Sequence, residues 1–528
     1  MTQAAVEPFS AVSLPESTDP VAASAAAYAN EVVELLSGLL VALVRRKQPE
    51  LESVLRGDRP ASELSPELLA RALQVQGIWF QLLSIAEQNA GMRRRRQTEA
   101  ERGYEHVRGT FAQVVASAAE NRIPADELRG LLEVLRIRPV ITAHPTEAKR
   151  VTVLEKHRLI YRRLVDLESP RWTPRERAGL IQALQNEIEL LWTTGELRLA
   201  KPTVPQEVFW GLHFFNETLF EAVPDLLEKV ERALAHAYPN ERFQVPPFFQ
   251  FGSWVGGDRD GNPFVTNDVT RSTVLENRLT GLRRYRRRLA DLVRALSITE
   301  KAMPVSEQFR TMLERELSAS GEGDVIAARN PGEVFRQYLA CMVRRLEVMI
   351  TAAERGEFAP DPAGYATAEA LVADLRLIED ALISGGSPSL ASTLVRPVRR
   401  EVESFRFSTV RLDVRENTTR LNAALADLWK QSNGRRPAEQ SDSGSAEEEP
   451  TSAVPDQSSD VWRQWLASEL GRPLSRDASP PRLPSESAET LGMFQLVRDL
   501  REKIDREAFG AFVLSMTRSV SDVLGAYL

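Results

Sequence analysis

The stretch Phe251-Gly-Ser-Trp-Val-Gly-Gly-Asp-Arg-Asp-Gly-Asn-Pro263 places four glycines, two aspartates, one arginine and one tryptophan within thirteen residues. Glycine reaches backbone angles closed to other residues and lets a ligand or another segment approach closely, at an entropic cost when it is ordered. The stretch therefore predicts a loop that builds a site. The alternative is that Asp258, Arg259 and Asp260 form a local ion-pair cluster that ties a long turn to a helix end, since structural networks also use such clusters.

Composition places the chain among ordinary globular proteins and excludes several classes of function. Its 528 residues, 43% hydrophobic and 27% charged, are enough for several domains or one large enzyme-type architecture. The net charge of −7 argues against wholesale nucleic-acid binding. The single cysteine, Cys341, excludes an internal disulfide framework and cysteine-rich zinc sites, which fits a reducing compartment. We find neither a signal peptide nor an apolar run of membrane-spanning length, so we expect a cytoplasmic protein without membrane contact.

Local composition divides the chain into four regions. Residues 1–22 are rich in Ala, Ser, Pro and Thr and are predicted to be disordered. Residues 23–137 form a predicted helical amino-terminal region, because apolar residues recur there at three- and four-residue spacing. Residues 432–459 are rich in Ser, Glu, Pro and Gly, which predicts a disordered loop. That loop lies within residues 138–528, where short strands are predicted between long helical tracts.

The helical period breaks at four short runs that are predicted to be buried strands. The first contains the β-branched Val140 and Ile141 between prolines, and the second precedes Asp258. The third, Phe407–Val414, alternates Thr409, Arg411 and Asp413 with Val410, Leu412 and Val414. The fourth is Phe509–Met516.

Each predicted strand ends in polar residues, which are His144, the Asp258–Asp260 cluster, Arg415, and Ser515 with Thr517. A histidine at a strand end can carry a proton or stabilise charge, although a lone histidine is more often structural. A guanidinium just beyond a strand end can clamp a phosphate or carboxylate through two hydrogen bonds.

Alternation of strands and helices, with reactive groups at the carboxyl ends of the strands, is the layout of a parallel β/α barrel. The predicted fold class is therefore mostly α-helical with a β/α (TIM-type) barrel core. A closed barrel needs eight strands and this sequence supplies four. Residues 138–528 are accordingly predicted to be the first half of such a barrel, with long helical insertions.

Four motifs carry a family resemblance, and they are Thr142-Ala-His-Pro-Thr-Glu147, the Phe251–Pro263 stretch, Arg411-Leu-Asp-Val-Arg-Glu416 and Ser515-Met-Thr-Arg-Ser-Val-Ser-Asp-Val-Leu524. They resemble, in the same order, successive motifs of the bacterial and plant type phosphoenolpyruvate carboxylases. Two weaker segments, Leu191–Arg198 and Lys201–Thr203, also fit. The resemblance covers the amino-terminal part of that family only.

The resemblance implies an eight-stranded barrel surrounded by helices, usually in a homotetramer, and a reaction that depends on Mg²⁺ or Mn²⁺. Phosphoenolpyruvate and bicarbonate give oxaloacetate and phosphate by way of carboxyphosphate and the enolate of pyruvate. By motif, His144 assists carboxyphosphate breakdown and enolate carboxylation, and Arg415 holds anionic substrate. The implied substrate-binding wall consists of Trp254, Gly256, Gly257, Asp258, Arg259 and Asp260.

Several parts of the family pattern are not found in this sequence. The metal-binding carboxylates, a glycine-rich loop, a catalytic lysine and the inhibitor site belong to the family's carboxyl-terminal half, so metal ligands are expected outside this chain. Val151 stands where an arginine is frequent, and Gly195 where an acidic residue is common.

Three hypotheses follow from this pattern. The chain is one subunit of a split carboxylase, completed by a second chain that carries the rest of the barrel. Alternatively, it is an inactive fragment of a longer enzyme. In the third hypothesis it is a non-catalytic relative that binds an anionic metabolite or a partner protein as a regulatory or structural subunit.

Overall fold

The computed structural model describes residues 19–55, 59–142, 150–194, 202–358, 361–433, 454–472 and 483–528. Most of these residues are helical, and four short strands form one parallel sheet. The mostly helical class is therefore confirmed, together with a small parallel sheet, while a closed barrel stays a prediction.

The α-helices of the described residues follow one another along the chain with these bounds. They are α1 Pro20–Lys47, α2 Leu51–Leu55, α3 Pro66–Arg102, α4 Phe111–Glu120, α5 Ala125–Val134, α6 Val151–Leu167, α7 Pro174–Thr193, α8 Val204–Phe214, α9 Phe220–Ala237, α10 Asn267–Ala295, α11 Glu307–Ala319, α12 Gly323–Arg329, α13 Val334–Glu354, α14 Ala368–Ser384, α15 Pro388–Leu390, α16 Arg396–Phe405, α17 Thr418–Asn433, α18 Asp460–Leu470, α19 Ser485–Lys503 and α20 Val520–Tyr527. Two π-helical segments, Phe215–Leu219 and Ala391–Val395, continue neighbouring helices.

The chain divides into two compact units, of which the first comprises residues 1–127, 144–201 and 229–243. Its core is built by α1, α3, α6 and α7, whose apolar side chains recur at helical spacing; Leu36, Leu82, Ile160 and Ile188 are fully buried in it. Among the described residues, α1 is the one helix that could cross a membrane by length and composition. Its buried leucines belong to this core.

The second unit comprises residues 128–143, 202–228 and 244–528 and contains the sheet. Its strands are β1 Val140–Ile141, β2 Gly252–Ser253, β3 Arg411–Asn417 and β4 Phe509–Ser515, in the order β1-β2-β3-β4 and all parallel. The four predicted strands are thus present. Because parallel strands end at the same edge, the residues that follow them meet there.

Alternation along β3 separates an apolar face from a charged one. Leu412 and Val414 pack against Val274 of α10 and against apolar side chains of α19, among them Met493. Arg411, Asp413 and Arg415 project to the opposite face, as a side-chain period of two requires. The predicted alternation is confirmed.

The predicted start of the third strand is wrong, because β3 begins at Arg411 rather than at Phe407. Arg406 and Thr409 have φ angles of 50° and 60°, which a strand cannot contain. Tertiary contacts hold this turn: the Thr409 hydroxyl donates to the Asn277 carbonyl oxygen at 2.7 Å. A sequence pattern cannot reveal strain that is fixed by a distant helix.

The first and fourth strands were predicted to be buried, and both are partly exposed. Val140 of β1 retains 39% of its surface and Phe512 of β4 retains 38%. The physical reason is the strand order, since β1 and β4 are the two edges of the described sheet.

Candidate active site

The glycine-rich loop that follows β2 is joined to β3 by backbone hydrogen bonds. Arg415 donates its N–H to the Gly257 carbonyl oxygen, and Arg259 donates its N–H to the Arg415 carbonyl oxygen, both at 2.9 Å. This ladder places Asp258 opposite Arg415. Because β3 continues to Asn417, Arg415 lies inside the strand, whereas the sequence placed it just beyond the strand end.

Two glycines make this close approach possible. Gly256 has a φ of +83°, and a Cβ there would lie 2.1 Å from the Thr273 hydroxyl oxygen. A Cβ on Gly257 would lie 2.1 Å from the Asp413 carbonyl oxygen. Both distances are far below van der Waals contact, so these positions are restricted to glycine while the backbone keeps this path.

Trp254, Asp258, Asp260 and Arg415, which the sequence assigned to the site, lie together. The Arg415 guanidinium donates from Nη1 to Asp258 Oδ2 at 2.7 Å and from Nη2 to Asp260 Oδ2 at 3.4 Å. Its Cζ lies 4.2 Å from the centroid of the Trp254 ring, a cation–π geometry. The Nε atom of Arg415 is buried and has no hydrogen-bond partner among the described residues.

Arg259 takes a different direction from its neighbours. Its guanidinium is buried, and Nη2 donates to Asn267 Oδ1 at 2.7 Å and to Thr270 Oγ1 at 3.2 Å. Nη1 lies 3.5 Å from Glu489 Oε1. For this residue the structure matches the alternative interpretation, in which a charged side chain ties the loop to the start of a helix.

Asp413 is the buried residue around which the charged face is arranged, and the sequence analysis did not assign it to the site. Its carboxylate pairs with the Arg138 guanidinium and accepts the Ala511 N–H at 2.7 Å and the Trp254 indole N–H at 3.2 Å. The alternation along β3, which puts Asp413 on the same side as Arg411 and Arg415, was the available signal.

Burial raises the pKa of two carboxyls near this edge. Desolvation raises the pKa of Asp258, in spite of the backbone hydrogen bond from Asp260 and the charge of Arg415. Desolvation also raises the pKa of Glu416, whose Oε2 has no hydrogen-bond partner among the described residues. Glu416 Oε1 accepts the Asn417 N–H at 2.9 Å.

The donors at this edge suit an anion better than a metal ion. A planar guanidinium stacked on an indole is the kind of group that binds a carboxylate or a phosphate. Asp258 and Asp260 are paired with Arg415, and the described residues contain no group of three or more His, Cys, Asp or Glu that could hold a metal. The described donors therefore do not fit a divalent cation.

Two residues named in the sequence analysis lie outside the described residues. His144 belongs to residues 143–149 and Gly195 to residues 195–201. Ser515 lies at the end of β4, where its hydroxyl donates to the Glu416 carbonyl oxygen at 3.4 Å.

A cavity of about 900 Å³ opens beside Arg406 and Asp505, at the amino-terminal end of β3 and away from Arg415.

Comparison with known proteins gives consistent matches. A family model described as phosphoenolpyruvate carboxylase matches residues 24–528. A phosphoenolpyruvate carboxylase of Methylorubrum extorquens strain AM1 is 54% identical over 94% of this chain and 52% of its own length. Relatives of the same name from Roseiflexus castenholzii and Rhodothermus marinus are 32% and 31% identical, over 85% and 94% of this chain and 47% and 53% of their own lengths. The chain thus spans about half the length of these curated relatives.

The first prediction concerns Gly257. Gly257→Ala should lower the free energy of unfolding by about 1–3 kcal/mol, because the new methyl group collides with the β3 backbone. Gly179→Ala is the control, because Gly179 lies on the exposed surface of α7 and a Cβ there would meet nothing within 4 Å. Urea denaturation followed by circular dichroism measures both variants. Equal losses in the two variants would contradict the close approach of the loop to β3.

The second prediction concerns pH. Because burial raises the pKa of Glu416, the folded protein keeps this proton to higher pH than the unfolded chain does. The free energy of unfolding should therefore fall as pH rises from the ordinary glutamate range through the raised pKa. Glu416→Gln should gain stability relative to the wild type as the pH rises above the ordinary glutamate range.

Denaturation curves at a series of pH values test this expectation. Glu502→Gln is the control, because it removes the same charge from an exposed position. A stability difference between Glu416→Gln and the wild type that stays constant across the pH range would show that Glu416 is not held protonated by burial.

Proposed function

The chain belongs to the phosphoenolpyruvate carboxylase family, and from this premise we propose that it takes part in the carboxylation of phosphoenolpyruvate by bicarbonate. The products are oxaloacetate and phosphate, so the activity is that of a carboxy-lyase that fixes carbon dioxide and feeds the tricarboxylic acid cycle. The observation that carries the proposal is the Arg415 guanidinium, which is stacked on Trp254 and held by Asp258 and Asp260 at the shared end of the strands.

In this proposal Arg415 binds an anionic group of phosphoenolpyruvate. Trp254 supplies an apolar wall beside the reacting carbons, because a dry pocket protects an enolate from protonation by water. Gly256 and Gly257 give the loop its path, and Asp258 and Asp260 orient the guanidinium. His144 assists carboxyphosphate breakdown and enolate carboxylation.

Charge counting supports a contribution from another segment of polypeptide. The cluster sets one guanidinium, Arg415, against the two carboxylates of Asp258 and Asp260. A multiply charged phosphate ester needs more positive charge than this in a site that excludes water. The family is generally metal-dependent, and we assign Mg²⁺ or Mn²⁺, which supplies charge stabilisation when bound, to ligands outside this chain.

Exposed apolar side chains also support a contribution from another segment of polypeptide. Met516 retains 63% of its surface, Val520 retains 70% and Tyr527 retains 79%. Together with Phe512 they extend from the edge strand β4 along one side of α20. An unpaired edge strand flanked by apolar residues is a docking surface. We propose that further β/α units, from a second chain or a longer polypeptide, cover it and complete a TIM-type barrel within a cytoplasmic homo-oligomer.

The chain without such a complement is therefore expected to be inactive in carboxylation. The alternatives remain an inactive fragment and a non-catalytic subunit that binds an anion or a partner protein. The intact loop from Trp254 to Asp260 and its pairing with Arg415 favour the catalytic role, because a binding-only or structural subunit would be free to lose these residues.

The third prediction concerns the need for a complement. With phosphoenolpyruvate, bicarbonate and Mg²⁺, oxaloacetate should form when the chain is isolated with its native partners, and not when the purified chain is assayed alone. Malate dehydrogenase and NADH report oxaloacetate in both preparations. Activity of the isolated chain would contradict the proposed second half. Binding of phosphoenolpyruvate without turnover in the complete preparation would favour the binding subunit.

The fourth prediction concerns His144. In the complete enzyme, His144→Asn should still release phosphate from phosphoenolpyruvate while oxaloacetate falls by about 10²-fold or more, the usual contribution of a positioned acid–base group. His106→Asn is the control, since the His106 side chain is 59% exposed in the first unit. Phosphate and oxaloacetate are measured in parallel. Equal loss of both products would remove the specific role given to His144.

A further inference from the structure

The charged face of the sheet converges on one carboxylate. Asp413 is buried, with 4% of its surface exposed, and three groups from different parts of the chain donate to it. Oδ1 receives the Arg138 guanidinium, which precedes β1, and the Ala511 N–H of β4 at 2.7 Å. Oδ2 receives the indole N–H of Trp254, which follows β2, at 3.2 Å.

We propose that Asp413 is a positioning residue that acts through Trp254. The indole is held from two sides, since its N–H donates to Asp413 while its face carries the Arg415 guanidinium. The tether fixes the plane of the ring and therefore the position of the cation stacked on it. This inference rests on the proposed function, because Trp254 is there the wall beside the reacting carbons.

The surroundings of Asp413 leave room for this carboxylate and for little else. A Cβ on Gly510 would lie 2.2 Å from Asp413 Oδ1 and 1.5 Å from the Arg138 Nη2 atom. A carboxylate accepts on both oxygens, whereas an amide accepts on one and donates from the other. Asparagine at position 413 keeps one acceptor oxygen, and the Arg138 charge together with the Ala511 N–H holds that oxygen at the Oδ1 position. The amide NH₂ then faces the Trp254 indole, whose N–H loses its acceptor.

The tether has a chemical consequence for the proposed reaction. An enolate that reacts with carbon dioxide forms a carbon–carbon bond and gives oxaloacetate. An enolate that takes a proton from water at the same carbon forms a carbon–hydrogen bond and gives pyruvate, with hydroxide left behind. Phosphate has been released in both cases. If Asp413 keeps Trp254 in place, it sets the ratio of pyruvate to oxaloacetate.

The first measurement, fluorescence quenching, does not require enzymatic activity. The fluorescence of Trp254 is obtained as the difference between proteins with and without the Trp254→Phe substitution. In Asp413→Asn, acrylamide should quench this fluorescence more strongly than it does in the wild type. Asp505→Asn is the matched control, because Asp505 is a buried carboxylate paired with Arg406 at the opposite end of β3. It should destabilise the protein while leaving the quenching of Trp254 unchanged.

The second readout is the ratio of pyruvate to oxaloacetate in the complete enzyme. Asp413→Asn should raise this ratio by about fivefold, the effect of one hydrogen bond, and Asp505→Asn should leave it unchanged. A purely structural loss would reduce both products in the same proportion. If Asp413→Asn does not fold, Trp254→Phe, which removes the indole donor but keeps a ring under Arg415, should raise the ratio.

Several outcomes would overturn the inference. The inference fails if folded Asp413→Asn shows both the quenching and the product ratio of the wild type. It also fails if Trp254→Phe keeps the wild-type product ratio. A shift of the same size in Asp505→Asn would also overturn it, since the effect would then be general. If the wild type forms neither product, the proposed function fails, and the quenching experiment still decides whether Asp413 positions Trp254.

Discussion

The ion pair and hydrogen bonds at Asp413 connect the four strands of the sheet. Their donors precede β1, follow β2 and lie in β4, while the acceptor is in β3. A buried carboxylate costs several kcal/mol in lost hydration unless it is paired and hydrogen-bonded, and removal of one partner typically costs about 3–5 kcal/mol. Because β1 and β2 are only two residues each and share few backbone hydrogen bonds with their neighbours, this polar centre helps to fix their positions in the sheet. The loop, the indole and the guanidinium above it depend on that arrangement.

The charged face is built in layers along β3. Arg411 pairs with Glu507 in the lowest layer, Asp413 binds its donors in the middle, and Arg415 contacts two aspartates at the top. The period of two along a strand produces this stacking, and the apolar residues between them face the helices. Among these three described residues of β3, Arg415 alone has its guanidinium stacked on an aromatic ring, which is why the candidate site lies at that end.

The sequence predicted the four strands, the alternation along β3 and the meeting of Trp254, Asp258, Asp260 and Arg415, because these depend on local pattern and on parallel strands ending together. It could not predict that Arg259 faces a helix, since neighbouring charged residues differ only in backbone direction. The late start of β3 depends on the Thr409 contact with a distant helix. Asp413 was missed because a charged residue in a short strand normally faces water, and its donors are far away in sequence. The role of His144, which lies outside the described residues, stays a prediction.

The central claim is that Arg415 binds the anionic substrate in a half-site that another segment completes. Calorimetric titration of phosphoenolpyruvate into the protein isolated with its native partners tests it most directly. We expect saturable binding that Arg415→Gln weakens by at least about tenfold, the effect of losing a charge-assisted hydrogen bond, while Arg411→Gln, altered in the lowest layer, binds as the wild type does. Equal affinity in the wild type and in Arg415→Gln would contradict the account.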